Sequence, residues 1–116
     1  MPETPTGPKG AAELTTVANQ AAATSVTFDD EADFQRAQQG LIATLPEGRV
    51  LVDDQVVWDC AHYDFLRNKH ESPDTVHPGL WRQGRLNAIH GLFEVMEGVW
   101  QVRGYDISNL TLIEGK

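Results

Sequence analysis

Residues 92–113 constrain this chain more than any other stretch. They read as three β-prone runs, punctuated by Glu97-Gly98 and by Gly104-Tyr105-Asp106. With Glu97-Gly98 as a two-residue loop, period-two alternation sets Val95 opposite Trp100 and Phe93 opposite Val102, with Glu94 opposite Gln101 on the other side. The third run, residues 107–113, is rich in β-branched side chains and predicts another strand. Only Glu114, Gly115 and Lys116 follow it. A strand in that position must lie at a sheet edge or lack the partners its apolar residues suit. The expectation is a chain that breaks off before its chemistry begins, and that alone is unstable, self-associating or dependent on another polypeptide.

A helix is expected to brace this sheet. Pro78 suits a first helical position, where a missing N–H costs nothing, so His77 becomes the cap and Gly91 the stop after a helix reaching about His90. Histidine is a poor cap. Leu80, Trp81, Leu86 and Ile89 can form the buried stripe, leaving Arg82, Gln83, Arg85 and Asn87 for polar roles. Trp58, Trp81 and Trp100 read as core aromatics, with Trp81 best placed to use its indole N–H at a helix boundary.

Upstream, RVLVDDQVVWD at residues 49–59 predicts a hairpin about Asp53-Asp54, its turn type open, with Val50, Leu51, Val52, Val56, Val57 and Trp58 supplying apolar contacts. Residues 62–66 suggest a helical turn, followed by a loop over 68–74. Thr27 followed by Asp29, Asp30, Glu31 and Asp33 predicts a capped, acidic helix start, running through Phe34 and Ala37 to a stop at Gly40. The alanine-rich residues 11–24 could form a helix if something packs on it. Residues 1–10, with three prolines and two glycines, are expected to be mobile. The fold class expected is α+β, short helices followed by antiparallel hairpins, with residues 1–26 as a flexible or partly helical tail and 27–116 as the structured part.

The formal net charge of −8 and pI near 4.7 oppose non-specific binding to nucleic acid and to anionic membrane surfaces. No apolar run approaches the roughly 18 residues of a membrane helix, and no signal pattern opens the chain, so membrane insertion is not expected and the expected location is the cytoplasm. One cysteine, Cys60, rules out an internal disulfide.

Motifs that carry chemistry are scarce. The acidic cluster lacks the alternating ligands, central glycine and terminal glutamate of a calcium loop, and suits a helix dipole or solvated face better. The histidines at 62, 70, 77 and 90 have no spacing that sets a metal pair on one face. Cys60 and His62 form a close pair, but two ligands do not make a zinc site, and no orienting group marks a cysteine nucleophile. No glycine-rich phosphate cradle is present. Arg82, Arg85 and Arg103 could bind an anion, but with acidic residues in excess at least two of them are expected to make ion pairs that fix helix against sheet.

The strings LWRQGRLNAIHGLFEV and GVWQVRGYDISNLTLIEG, with VVWD, YDFL, SPDTV and DFQRAQQGLIA upstream, resemble the N-terminal region of the alkyl/aryl-sulfatases of the metallo-β-lactamase superfamily, a group of zinc-dependent hydrolases of sulfate esters such as dodecyl sulfate. The resemblance implies the incomplete N-terminal part of an αββα sandwich, lacking the zinc-binding core. In that family the zinc ligands begin with a His-x-His-x-Asp-His motif further on; no such motif occurs here, so no ligand is carried over and the cofactor expected in this chain is none, zinc belonging to the full-length family. Loops between early strands border the active-site mouth in that superfamily, which makes Tyr105 and Asp106 candidates for a substrate rim, beside their reading as ordinary turn residues. Trp81, Arg82, Arg103 and Asn109 are the expected structural anchors. Where the family pattern has asparagine and serine flanking the proline, this chain has His77 and Gly79, a weaker helix start.

The resemblance therefore implies the N-terminal fragment of a sulfuric ester hydrolase, inactive alone. The partner expected is a chain carrying the missing catalytic core, or another copy of this one. The alternative is a small acidic interaction module, or complementing subunit, that pairs by strand addition.

Overall fold

The structure, a computed structural model, describes residues 7–69 and 71–116. The expected mobility of residues 1–10 falls largely outside these, as does His70. Helix α1 (Glu13–Ser25) and helix α2 (Ala32–Gln38) lead into strand β1 (Leu41–Ala43). A 3-10 turn at Pro46–Gly48 then opens the hairpin β2 (Arg49–Val52) and β3 (Gln55–Asp59). A second 3-10 turn, Cys60–Tyr63, runs into helix α3 (Asp64–Asn68), and helix α4 (Pro78–Asn87) precedes β4 (Gly91–Met96), β5 (Val99–Arg103) and β6 (Leu110–Ile113). The fold is α+β, with an antiparallel four-stranded sheet in the order β1-β4-β5-β6 and β2–β3 as a separate two-stranded sheet. Among the described residues no helix is long and apolar enough to cross a membrane.

The register of β4–β5 corrects the period-two expectation. Phe93 pairs with Gln101, Glu94 with Trp100 and Leu92 with Val102, while Met96 still pairs with Val99 across the Glu97-Gly98 turn. One residue, Val95, is extra on β4: two residues oppose one, as in a β-bulge, and every pair beyond it moves by one place. The final strand is also shorter than expected. Pairing with β5 starts at Leu110, and Ile107 stands 95% exposed in the preceding loop.

Register decides what each face of this sheet carries. Directly opposed residues share a face, so Phe93, Gln101 and Thr111 lie on one side together with Arg103, which pairs with Gly91. This side is closed and internally bonded. Phe93 is fully buried beneath the Arg103 guanidinium, 4.4 Å from its ring centroid, while Arg103 donates to the Gln101 side-chain oxygen and the Gln101 amide donates to Thr111 Oγ1 at 3.2 Å. The other side carries Leu92, Val102 and Leu110 in one row and Glu94, Trp100 and Leu112 in the next. Its aliphatic residues are half-buried on the inner strands and exposed on β6.

Gly40 joins β1 to β4. Its φ of 80° lies in the left-handed region, its carbonyl accepts the Glu94 N–H at 2.8 Å, and an added Cβ would meet the Glu94 carbonyl oxygen at 2.2 Å. It follows α2, as expected of a helix stop. The α2 start is built differently from the expectation: Asp30, not Thr27, supplies the capping oxygen, accepting the Ala32 N–H at 2.8 Å. Asp30 stands three residues closer to the first turn than Thr27, and the helix begins only at Ala32.

Helix α4 begins as expected, with His77 Nδ1 accepting the Gly79 N–H at 3.0 Å. The departure at Gly79 complements the one at His77, since a Cβ there would sit 3.2 Å from the imidazole. The helix ends earlier than expected, at Asn87. Ile89 N–H turns back to the Leu86 carbonyl, and Gly91 opens β4 instead of stopping the helix. Trp81 is buried, Leu86 and Ile89 are half-buried, and Leu80 is 66% exposed, so Leu80 leaves the expected stripe.

The β2–β3 hairpin turns at Asp53-Asp54 with φ of 49° and 62°. Left-handed backbone at both central positions defines a type I′ turn, whose twist matches that of the strands. Its apolar residues depart from expectation. Leu51, Val52, Val56 and Val57 are all more than half exposed, because among the described residues no second layer covers them.

Across the described residues the buried hydrophobic side chains are Phe34, Cys60, Trp81 and Phe93. The radius of gyration is 18.4 Å, against about 13 Å for a compact domain of this length. The chain is a set of well-formed elements spread thinly around a small core.

Candidate functional site

The loop that carries Tyr105 and Asp106 stands over a hollow of about 320 Å³, whose lining includes Trp58, Cys60, His90, Gly104 and Asp106. It is shaped by the end of β3, the 3-10 turn that follows, Leu66 of α3, the last turns of α4 and the segment joining α4 to β4. Gly104 lets the loop approach. Its φ is 80°, and a Cβ there would lie 2.7 Å from that of His90.

Tyr105 is tied down at both ends. Its hydroxyl oxygen accepts the Leu45 N–H at 2.8 Å, and its ring meets the His90 ring edge-on at 5.2 Å. The phenol thus joins the segment after β1 to the end of β5. Asp106 is exposed, and its carboxylate accepts the N–H of the next residue, Ile107, at 2.6 Å. Both residues, with exposed Asn109, also line a hollow of about 290 Å³ beside β6. The structure therefore brings Tyr105, Asp106 and Asn109 together and gives Tyr105 a definite scaffolding contact.

Cys60 lies at the floor of the first hollow. Its thiol is buried and directed at the Gly104 carbonyl, 3.6 Å away. Burial pushes its pKa up, and this outweighs the Trp58 indole and the Arg67 charge, which favour thiolate. His62 is exposed on the neighbouring turn. A thiol in this setting is a poor nucleophile. Its neighbour Asp59 has its carboxyl held below the usual range, first by the Ala61 N–H bonded to it at 2.9 Å and then by Arg49.

Of the three arginines, Arg82 and Arg85 meet at the Phe34 ring and Arg103 lies apart from them. Arg82 donates to the Asp30 carbonyl at 2.9 Å and pairs with Asp33 at 3.2 Å, so its ion pair joins α4 to α2 and not helix to sheet. Arg82 and Arg85 both stack on the Phe34 ring, at 5.4 and 4.7 Å, a contact sequence reasoning missed because residues 34 and 85 share no local pattern. These two arginines line a hollow of about 540 Å³ together with Asp29, Glu31 and Glu71, whose carboxylates offset their charge. Arg103 stays with Phe93 in the sheet. Trp81 donates its indole N–H to the Lys69 carbonyl at 3.1 Å, closing the end of α3.

Among the described residues no group of three or more histidine, cysteine, aspartate or glutamate side chains could hold a metal ion. The acidic cluster is used otherwise, with Asp30 capping α2 and Asp33 paired to Arg36 and Arg82. What this geometry provides is a braced scaffold with three hollows rimmed by loops.

No family model matches the chain. It is, however, 43% identical over 109 residues to a linear primary-alkylsulfatase of Pseudomonas sp. and 49% identical over 100 residues to the alkyl/aryl-sulfatase BDS1 of Saccharomyces cerevisiae, matches that take in 93% and 84% of this chain. The backbone superposes on the solved inverting sec-alkylsulfatase Pisa1 of Pseudomonas sp. with a TM-score of 0.81 at 45% identity, over 92% of this chain. The chain is homologous to the N-terminal part of the alkylsulfatases. It spans only 16% and 15% of the two relatives and 17% of the solved chain. The elements that define these hollows thus correspond to one segment of the alkylsulfatases, and more than four fifths of each matched protein lies outside it.

Proposed function

We propose that this chain is a scaffold segment of an alkylsulfatase-type hydrolase, one that acts on sulfate esters of alkyl chains, and that it has no hydrolase activity alone. One observation carries the reading: nearly the whole chain aligns at 43–49% identity, yet it occupies 15–16% of the relatives it matches. The residues described here do not fit the zinc site that a metallo-β-lactamase-type hydrolase requires, so no catalytic step is assigned to them. In this reading residues 27–116 form the structured part and residues 1–26 an appended tail, with α1 tethered to the loop before α4 through the Asn19 amide and the Asp74 carbonyl, 2.7 Å apart. Tyr105 and Asp106 are the residues proposed to border a substrate mouth built by the rest of such a protein.

The test is a sulfate-release assay on dodecyl sulfate with the purified chain, run beside a zinc determination. No release above the uncatalysed background and no stoichiometric zinc are expected. Turnover by the chain alone would overturn the scaffold reading. The second reading, an acidic module that binds an unrelated chain by strand addition, draws on the open β6 edge; it would be favoured if the chain captured an extended peptide yet failed to restore hydrolysis to any alkylsulfatase core.

A further inference from the structure

The four-stranded sheet is covered on the wrong side for a free-standing protein. Antiparallel sheets with one solvated face normally turn polar residues outward and apolar residues inward. Here the side bearing Arg103, Gln101 and Thr111 bonds to itself and seals Phe93 beneath it. The opposite side exposes Leu110 (58%) and Leu112 (47%) and leaves Leu92, Trp100 and Val102 half covered. Contiguous apolar surface of this kind marks a contact site.

We infer that the face formed by Leu92, Trp100, Val102, Leu110 and Leu112, together with the open edge of β6, is a docking surface for the remaining polypeptide of an alkylsulfatase. The inference rests on the reading of this chain as one segment of such a protein and adds to it the surface through which assembly occurs. The occupant follows from the comparisons. The backbone matches that segment of the solved chain at a TM-score of 0.81, and 83% of that chain lies outside the match. An apolar layer about 10 Å away would interlock with this face as one sheet packs on another. β6 offers unpaired backbone groups along its outer edge for a further strand. Glu94 sits among these residues, opposite Trp100, so the covering layer must place a cation or hydrogen-bond donor over it.

The surface can be tested by co-expressing this chain with the portion of the Pseudomonas linear primary-alkylsulfatase that lies outside the 109-residue match. Co-purification and dodecyl sulfate hydrolysis are read separately. Co-purification at near 1:1 is expected for the unaltered chain. L110K combined with L112K should weaken it by at least about tenfold, since each ammonium would be buried without a partner. T111K, on the same strand but the opposite face, should leave it within about twofold. Circular dichroism of each variant alone separates loss of docking from loss of folding, and the altered leucines are already exposed. Failure of the unaltered chain to co-purify, or equal loss with T111K, would overturn the inference. So would light scattering that shows a dimer of this chain dissociated by L110K/L112K, because the occupant would then be a second copy. Co-purification without hydrolysis leaves the docking surface standing and counts only against the proposed sulfatase role.

Discussion

The chain contains two antiparallel hairpins built to nearly the same plan, and they end in different states. Each has a two-residue turn, Asp53-Asp54 or Glu97-Gly98, and each has one extra residue on one strand: Val57, between the pairs Val50–Trp58 and Leu51–Val56, and Val95, between Glu94–Trp100 and Met96–Val99. The β4–β5 hairpin lies inside a four-stranded sheet and has Phe93 sealed on one side. The β2–β3 hairpin stands alone with its valines open, held at its base by the Arg49–Asp59 ion pair at 3.1 Å. Alternation and turn chemistry make a hairpin, but flanking strands and a covering side chain make it part of a core.

The largest expected effect is at the covered hairpin. Phe93→Ala should destabilise the chain by about 3–5 kcal/mol, or abolish cooperative unfolding, whereas Val56→Ser in the open hairpin should change stability by no more than about 0.5 kcal/mol. Urea unfolding followed by tryptophan fluorescence measures both, and equal losses would break the contrast. Next, Gly40→Ala should cost about 1–3 kcal/mol, because it forces a left-handed residue against the Glu94 carbonyl where β1 joins β4. A gain in melting midpoint would show that β1 is not held there.

A smaller effect concerns the base of the open hairpin and depends on pH. The Asp59 carboxyl is held below its usual range in the fold, so its contribution is complete above the ordinary carboxylate pKa and is lost as pH falls through the folded value. The stability difference between the unaltered chain and Asp59→Asn should therefore shrink as pH drops below about 4. A difference constant from pH 7 to 3 would exclude that linkage. The smallest effect is expected at α4, outside both hairpins. His77→Ala should cost about 1 kcal/mol by leaving the Gly79 N–H uncapped, while His77→Asn should raise the melting midpoint only slightly, since the imidazole already makes the capping bond. Iodoacetamide labelling complements these measurements: Cys60 should react far more slowly folded than in urea, as a buried thiol with a raised pKa does.

Local signals made much of this fold legible. Pro78 after His77 marks the start of α4, Asp53-Asp54 and Glu97-Gly98 mark two turns, and the strings at residues 80–95 and 98–115, with those upstream, carry the resemblance to the alkylsulfatases. The β4–β5 register departs from simple alternation at Val95. Val95 is as good a strand residue as its neighbours, so nothing in composition separates a bulge residue from a paired one. The end of α4 is ambiguous in sequence because Gly91 suits both a helix stop and a strand that passes close to Leu41 and Ala43. Burial was the least legible property. Leu80, Leu110 and Val56 have core chemistry, but whether such a residue is covered depends on layers distant in sequence or on other polypeptide. For the candidate site, Tyr105 and Asp106 are candidates through the family resemblance alone, while the Tyr105–Leu45 bond spans 60 residues and leaves no local trace.

The bulges at Val57 and Val95 have a consequence for how such hairpins tolerate insertions and deletions. Removing either valine deletes a residue that holds no rung of the ladder, so every cross-strand partner and every inward or outward assignment survives. Removing Phe93 or Trp58 instead would transpose the side chains beyond it to the opposite face. Each bulge is thus a point of length slack, where hairpins of unequal size can be interchanged by a single codon without turning the sheet inside out.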